Sequence, residues 1–395
     1  GFGQAVKDIS MKGIFMEKSL KKDIIINRLP VVIYFILIFA ALMVIISAVA
    51  PMSNHEPKTT DTYSDFSTGW LNCEESEASL DHLSGTTVIH RTITAADCNK
   101  TLFFFAKTSN IKVFIDGVCQ YRNNHFCSQF FGKTPGALFV NVLIPAKSDG
   151  KLLEIEIENP YKDDDSAKLD EMYIGDISDI IQFQQQKRFN SFCISFIIMV
   201  LGVVMLLLFI PLTRQKIVGI EFLNLGVTAF VSGLYLTTDG RYLQLVFGDA
   251  HIYHVIAETA LRLSILPFLI FLSQMYESYS KRISAILCVI GEIAFAGCFI
   301  GEITEIMDYH ETLFLVHVVF AISMLFILVS TIKGIVKAPK ENIYHNIGCI
   351  VLSFMAMTDI IILWRGTGRE TSYFIRLGIL IFFFMEIVQI IKKFL

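Results

Sequence analysis

Charge is scarce in this sequence. Of its 395 residues only 18% are Asp, Glu, Lys or Arg, against 53% hydrophobic, a balance too apolar for a water-soluble chain of this length. The 33 basic and 37 acidic side chains nearly cancel, to a formal charge of -4, and no basic block stands away from the apolar runs, which excludes nucleic acid as a partner. Catalytic signatures are missing too. There is no HExxH, since His310-Glu311 is followed by Thr312, Leu313 and Phe314, and no GxSxG, P-loop or dinucleotide fingerprint. The sequence therefore reads as no enzyme within these residues, with no cofactor. The absence of CxxC or His/Cys zinc spacing argues against a metal site. No Lys lies between Asn342 and Gln389, so the last two apolar runs have no place for a retinal Schiff base.

What is abundant is the long apolar run. Crossing the hydrocarbon core takes about 20 apolar residues. Eight runs of that kind occur, at roughly 30–50, 190–211, 217–236, 252–274, 283–302, 311–332, 343–364 and 372–391. They divide the chain into an N-terminal segment (1–28), a transmembrane anchor (29–50), a water-soluble domain (51–185) and a seven-helix block (186–395). Lys and Arg orient it: Lys21, Lys22, Arg28, Arg214, Lys216, Lys281, Arg282, Lys333, Lys337, Lys392 and Lys393 fall on one side. The rule that basic loops stay in the cytoplasm then puts both termini inside and residues 51–185 outside, in a multi-pass cell-membrane protein. The first run has a second reading as a cleaved signal peptide, from the small residues of Ala48-Val49-Ala50. Met11 and Met16 are candidate natural starts.

Residues 51–185 read as short strands. Alternating β-branched and aromatic residues fill TTVIHRTI (86–93), TLFFFA (101–106), IKVFI (111–115), LFVNVLIP (138–145) and LLEIEIE (152–158). Asp116-Gly117 and Ser148-Asp149-Gly150 are tight-turn signals. The expected fold is an all-β sandwich of jelly-roll type joined to a membrane α-helical bundle. Trp70, Tyr121, Phe130 and Phe131 are candidates for a ligand surface, with core packing as the alternative. Asp163, Asp164 and Asp165 lack the spacing of a calcium loop and read as a solvated turn. Four cysteines (Cys73, Cys98, Cys119, Cys127) permit two disulfides in three connectivities, and Cys119 with Cys127 is the closest pair in sequence.

Ionisable residues inside apolar runs are costly and need a reason. Glu258 and Arg262 stand one helical turn apart, and His317, Asp359 and Arg376 fall in the same half of later runs. They are candidates for a common ligand or ion pocket, with interhelical pairing as the alternative. Glu292 falls mid-run, and His251, His254 and His310 lie at the rim.

The stretch YLTTDGRYLQLVFGDAHIYHVIAETALRLSILPFLIFLSQMY (235–276), with IENPY and YIGDISDII before the first of the seven runs, resembles bacterial seven-transmembrane receptors with diverse intracellular signalling modules. The resemblance implies an outer domain sensing a small molecule, possibly a carbohydrate. It also implies a last helix leading to a cytoplasmic effector in cis or in trans, such as a GGDEF diguanylate cyclase or a histidine kinase. No GGDEF motif is present, and the expectation is the sensing part of a longer signalling protein. Phe384, Ile387, Ile391 and Phe394 lie close to one helical seam, of the kind that continues as a homodimeric stalk, and lipid contact explains them equally. The rival reading is a transporter or membrane-embedded enzyme built on the intramembrane charges.

Overall fold

The computed structural model describes residues 62–123, 132–133, 136–161, 167–216, 218–275, 278–337, 342–365 and 372–394. The anchor run, Phe130, Phe131, Cys127 and Asp163 to Asp165 lie outside these. Among the described residues nine strands come first: β1 (Tyr63–Asp65), β2 (Leu71–Asn72), β3 (Thr86–Thr92), β4 (Thr101–Lys107), β5 (Asn110–Ile115), β6 (Val118–Arg122), β7 (Ala137–Leu143), β8 (Leu152–Glu158) and β9 (Lys168–Gly175). They pair antiparallel into two sheets, one ordered β1-β9-β4-β7 and the other β2-β3-β8-β5-β6.

The alternation in the sequence decides what each sheet buries. In β8, Leu153, Ile155 and Ile157 point inward while Glu154, Glu156 and Glu158 flank them, and β5 contributes Ile111, Val113 and Ile115. Leu102, Phe104, Val140, Leu169 and Ile174 of the facing sheet close the same core. Asp116 and Gly117, both with positive φ (53° and 75°), make the β5–β6 hairpin, as their sequence signal requires.

Strand β4 departs from alternation, because all of its residues but Lys107 are buried. Its second face lies under the helices: Phe103 stacks on Phe139 at 5.4 Å, and the Arg241 guanidinium sits 4.0 Å above the Phe105 ring. The sandwich is thus packed on both sides of one sheet, internally and against the bundle.

Eight helices follow among the described residues: α1 (Ile177–Arg214), α2 (Ile220–Asp239), α3 (Tyr242–Phe247), α4 (Ala250–Met275), α5 (Ser278–Ile303), α6 (Leu313–Lys337), α7 (Ile343–Arg365) and α8 (Tyr373–Phe394). All but α3 are long and apolar enough to cross a membrane, which makes this a multi-pass membrane protein. Helix α1 starts within two residues of β9, capped by the Asp176 carboxylate on the Ser178 N–H at 2.8 Å, well before the apolar run at 190. At 38 residues and 1.5 Å per residue it is about 57 Å long, so its polar first turns stand clear of a hydrocarbon core of about 30 Å.

Small residues let the helices approach. A Cβ on Gly202 would collide with the Phe230 backbone, and one on Gly233 with Met199, so α1 and α2 touch main chain to main chain. Gly202→Val and Gly233→Val are each expected to lower bundle stability by about 1–3 kcal/mol through overpacking. Leu207→Val on the exposed face of α1 should stay within about 0.5 kcal/mol. Thermal unfolding followed by far-ultraviolet circular dichroism in micelles checks both.

Candidate functional site at the junction of sandwich and bundle

Helix α4 brings Glu258 and Arg262 onto one face. Arg262 is 3% exposed and donates through Nη1 to the Glu258 carboxylate (2.6 Å) and carbonyl (2.9 Å). Its Nη2 donates to the Tyr309 carbonyl (2.7 Å) and to Thr312 Oγ1 (3.1 Å), and its guanidinium lies 4.1 Å from the Tyr309 ring centroid. Tyr309 OH and Thr259 Oγ1 are 3.2 Å apart. A desolvated guanidinium needs this many acceptors, and two of the four, with the Tyr309 ring, come from the loop between α5 and α6.

The same loop is held from its other side by the sandwich. Asp308 accepts a short hydrogen bond from Tyr161 OH and another from the Lys133 N–H at 3.2 Å. Lys133 Nζ pairs with Glu311 at 2.6 Å, and the His310 ring lies 4.4 Å from that of Tyr161. Residues 308–312 are therefore a bridge with Arg262 at one end and sandwich residues at the other.

Of the other intramembrane candidates, His317 lies within electrostatic reach of Glu258 and Arg262. Asp359 of α7 accepts the N–H groups of Phe374 (3.3 Å) and Ile375 (2.6 Å), satisfying orphan donors in the first turn of α8 from a neighbouring helix. Arg376 is buried beside Asp239 and Asp359. Asp239 accepts from Ser372 Oγ at 3.3 Å, Ser372 meets Tyr235 OH at 3.1 Å, and Asp239 feels the charges of Arg241, Arg376 and Glu258. The five charged candidates thus belong to one polar layer at the sandwich end of the bundle, with Asp359 engaged as a helix cap. Glu292 is apart from it, exposed on α5 and facing away from the bundle.

Trp70 corrects the sequence reading of a ligand-lining side chain. It is 1% exposed in the sandwich core, edge-on to Phe66 at 5.9 Å, with its indole N–H on the Phe66 carbonyl at 2.8 Å, and so has no surface to offer a ligand. Tyr121, in contrast, lines a cleft of about 470 Å³ between the sandwich edge and the helix ends. Phe139 and Asn141 of β7 and Arg122 of β6 form one wall, and Gln244 of α3 and His251 of α4 the other. With its amide turned to satisfy both groups, Gln244 donates to the Ala137 carbonyl (3.2 Å) and accepts from the Phe139 N–H (2.9 Å). Burial raises the Tyr121 phenol above its ordinary pKa of 10.0.

A β-bulge makes a second joint. Between the pairs Phe103–Tyr173 and Phe105–Asp170 the register slips, and Glu171 takes φ 51° there. It meets Arg188 (2.6 Å) and Lys187 (2.7 Å) on the first turns of α1. Burial alone would raise the Glu171 carboxyl, but the two cations overcome that and hold it below the ordinary value.

Cys119 is an exposed free thiol whose Sγ faces the Tyr121 carbonyl at 3.4 Å, Cys73 and Cys98 are also free, and Cys127 is outside the described residues. Of the rim histidines, His310 lies with its ring tilted 38° against Tyr161, and His254 packs against Gly136 within electrostatic reach of His251. Among the described residues no group of three His, Cys, Asp or Glu side chains is arranged to hold a metal. At the far end of the bundle His345 Nδ1 pairs with Glu386 at 2.5 Å, and Asn342 accepts from Gln389 at 3.0 Å, fastening α7 to α8.

Sequence reasoning missed Tyr161, Glu171, Asp239, Asp308 and Tyr309. Their partners are distant in the chain, and the one local signal was Asp239-Gly240-Arg241 ending an apolar run. No protein-family model, curated protein or solved structure matches the chain. Fold and site define a class, a multi-pass membrane protein whose β domain is docked on its helices.

Two outcomes follow. Arg262→Ala strands the Glu258 carboxylate and frees the 308–312 loop, and should cost about 3–5 kcal/mol in thermal or denaturant unfolding, as for one half of a buried ion pair. A lowered folded-state pKa at Glu171 contributes stability that is complete above the unfolded value near 4.5 and is lost as pH falls through the folded value. Melting temperature should therefore drop on acidification below about pH 4.5, with a smaller drop in Glu171→Gln.

Proposed function

We propose that this protein is a transmembrane signal-transduction receptor: the sandwich faces outside the cytoplasm and binds a small molecule, and the helices relay that event to a cytoplasmic output module in cis or in trans. The observation that carries this reading is the 308–312 bridge, which ties sandwich residues Lys133 and Tyr161 to Arg262 of α4. Orientation is supported by Arg214, Lys281, Arg282, Lys333, Lys337 and Lys392, which fall at the helix ends away from the sandwich. The sheet orders β1-β9-β4-β7 and β3-β8-β5-β6, with β2 as an added edge, are those of a jelly roll, which supports that finer reading of the fold.

The ligand's place in this reading is the cleft. Its volume is in the range of small-molecule sites, and one wall belongs to the sandwich and the other to α3 and α4. A ligand touching both walls binds one spacing more tightly than another, which is the thermodynamic condition for shifting the helices. Amide and aromatic side chains there, alongside Arg122, Asp249 and His251, suit a hydroxyl-rich compound, in line with the carbohydrate expectation from the family resemblance.

The test is a panel of mono- and disaccharides, amino acids and nucleosides, titrated against the full chain in nanodiscs. A binder should raise the melting temperature and change the spin-label distance between Gln120 on β6 and Val246 on α3. Tyr121→Ala and Asn141→Ala should each weaken it by about tenfold. Asp308→Asn should retain binding and abolish the distance change across α4 and α6. A binder that leaves every distance unchanged, with affinity indifferent to Tyr121→Ala, would overturn the reading.

A further inference from the structure

An open sheet edge invites further strands, and proteins blunt their edges with short strands, bulges, charge or proline. Among the described residues the two sheets end on β1, β7, β2 and β6, and three of these are blunted. Strand β1 has three residues and β2 has two, while β6 pairs with β5 across a register slip between Val113 and Phe114 and ends on Arg122. Strand β7 is different. It runs for seven residues as ALFVNVL, with no charge and no proline, and its Leu143 side chain is 63% exposed. The even residues of β7 pair with β4, a pattern that the Ile144 N–H continues onto the Lys100 carbonyl at 2.9 Å. The odd residues therefore turn their N–H and C=O groups outward, where Gln244 meets the Ala137 carbonyl and the Phe139 N–H. Beyond Gln244 the Phe139 carbonyl, both backbone groups of Asn141 and the Leu143 N–H meet no partner among the described residues.

We infer that the β7 edge is a docking site for an extended peptide, which adds to the four-stranded sheet as a further strand beside Asn141 and Leu143. This rests on the backbone of β7 and not on the small-molecule reading of the cleft. The edge itself selects the occupant, because donors and acceptors that alternate in one plane at the strand repeat match a polypeptide main chain. From the Phe139 carbonyl to the Leu143 N–H the open stretch is about 14 Å long, enough for roughly three to five ligand residues. Room for them is present, since Phe139 and Asn141 also line the cleft of about 470 Å³. Gln244 closes one end of the stretch and so sets the register in which a peptide is read. A second copy of β7 fits poorly. Antiparallel pairing about Asn141 would set Leu143 of one copy opposite Phe139 of the other, whose N–H Gln244 already holds. A short peptide ends where Gln244 begins.

The test uses the full chain in nanodiscs and a fluorescein-labelled library of acetylated pentapeptides that alternate Val, Ile or Thr with varied residues, read by fluorescence anisotropy. A binder should slow amide hydrogen exchange at Asn141 and Leu143 by about tenfold or more, measured by mass spectrometry. N-methylation of that peptide should weaken it by about tenfold at every second residue and leave it unchanged at those between, because only alternate amides face β7. Leu143→Pro removes an outward N–H and no β4–β7 hydrogen bond, and should weaken the peptide by about tenfold at an unchanged melting temperature. If that variant unfolds, the methylation pattern on the wild type decides. No binder in the library, slow exchange at Asn141 and Leu143 already in the free protein, or affinity indifferent to methylation would overturn the inference.

Discussion

A guanidinium with almost no contact with solvent sets the geometry of the junction. Arg262 cannot shed its charge, and both of its terminal nitrogens meet acceptors while its plane lies over a ring. Glu258 supplies one from its own helix, but the Tyr309 carbonyl, the Tyr309 ring and Thr312 come from the connection between α5 and α6. That demand gives a loop with little apolar content a fixed conformation. Once fixed, it presents Asp308 and Glu311 to the sandwich at the positions where Tyr161 and Lys133 meet them.

The docking of the β domain is over-determined in the same sense. Its four-stranded sheet is apolar on both faces at β4, so leaving the second face in water would expose Phe103 and Phe105. Helices α1 and α3 cover that face, and the joints at Glu171, Gln244 and Asp308 fix its angle. Three separate attachments to α1, α3 and the α5–α6 loop mean that a displacement of the sandwich is felt by several helices at once. A rigid body on three supports transmits a tilt, whereas one on a single flexible linker transmits nothing.

The parts of this arrangement legible in the sequence are those governed by length and period. Seven of the apolar runs appear as spanning helices because the bilayer sets a minimum length, and β3, β4, β5, β7 and β8 appear because their apolar residues alternate or run together. Strand β9 escaped because KLDEMYIG alternates weakly around a bulge, and the first turns of α1 escaped because QFQQQKR is helical without being apolar. Trp70 was open between a ligand surface and the core because an indole's burial depends on tertiary neighbours. The intramembrane charges were found, but not their partners, since Asp239 with Arg376 and Asp359 with the first turn of α8 are pairings that only packing brings together.

Glu258 and Glu292 show how differently one side-chain type is accommodated in the same bundle. Glu258 is held by a cation on its own helix and absorbed into a polar layer to which α2, α4, α6, α7 and α8 all contribute. Glu292, on a helix that packs chiefly on α4, pairs with no cation among the described residues and is flanked by Val289 and Ile293. If both carboxylates served only internal packing, both would face inward, where the bundle already gathers its polar groups. Glu292 faces the other way, and among the described residues its hydrogen-bond partner is the Cys288 thiol one turn before it on its own helix.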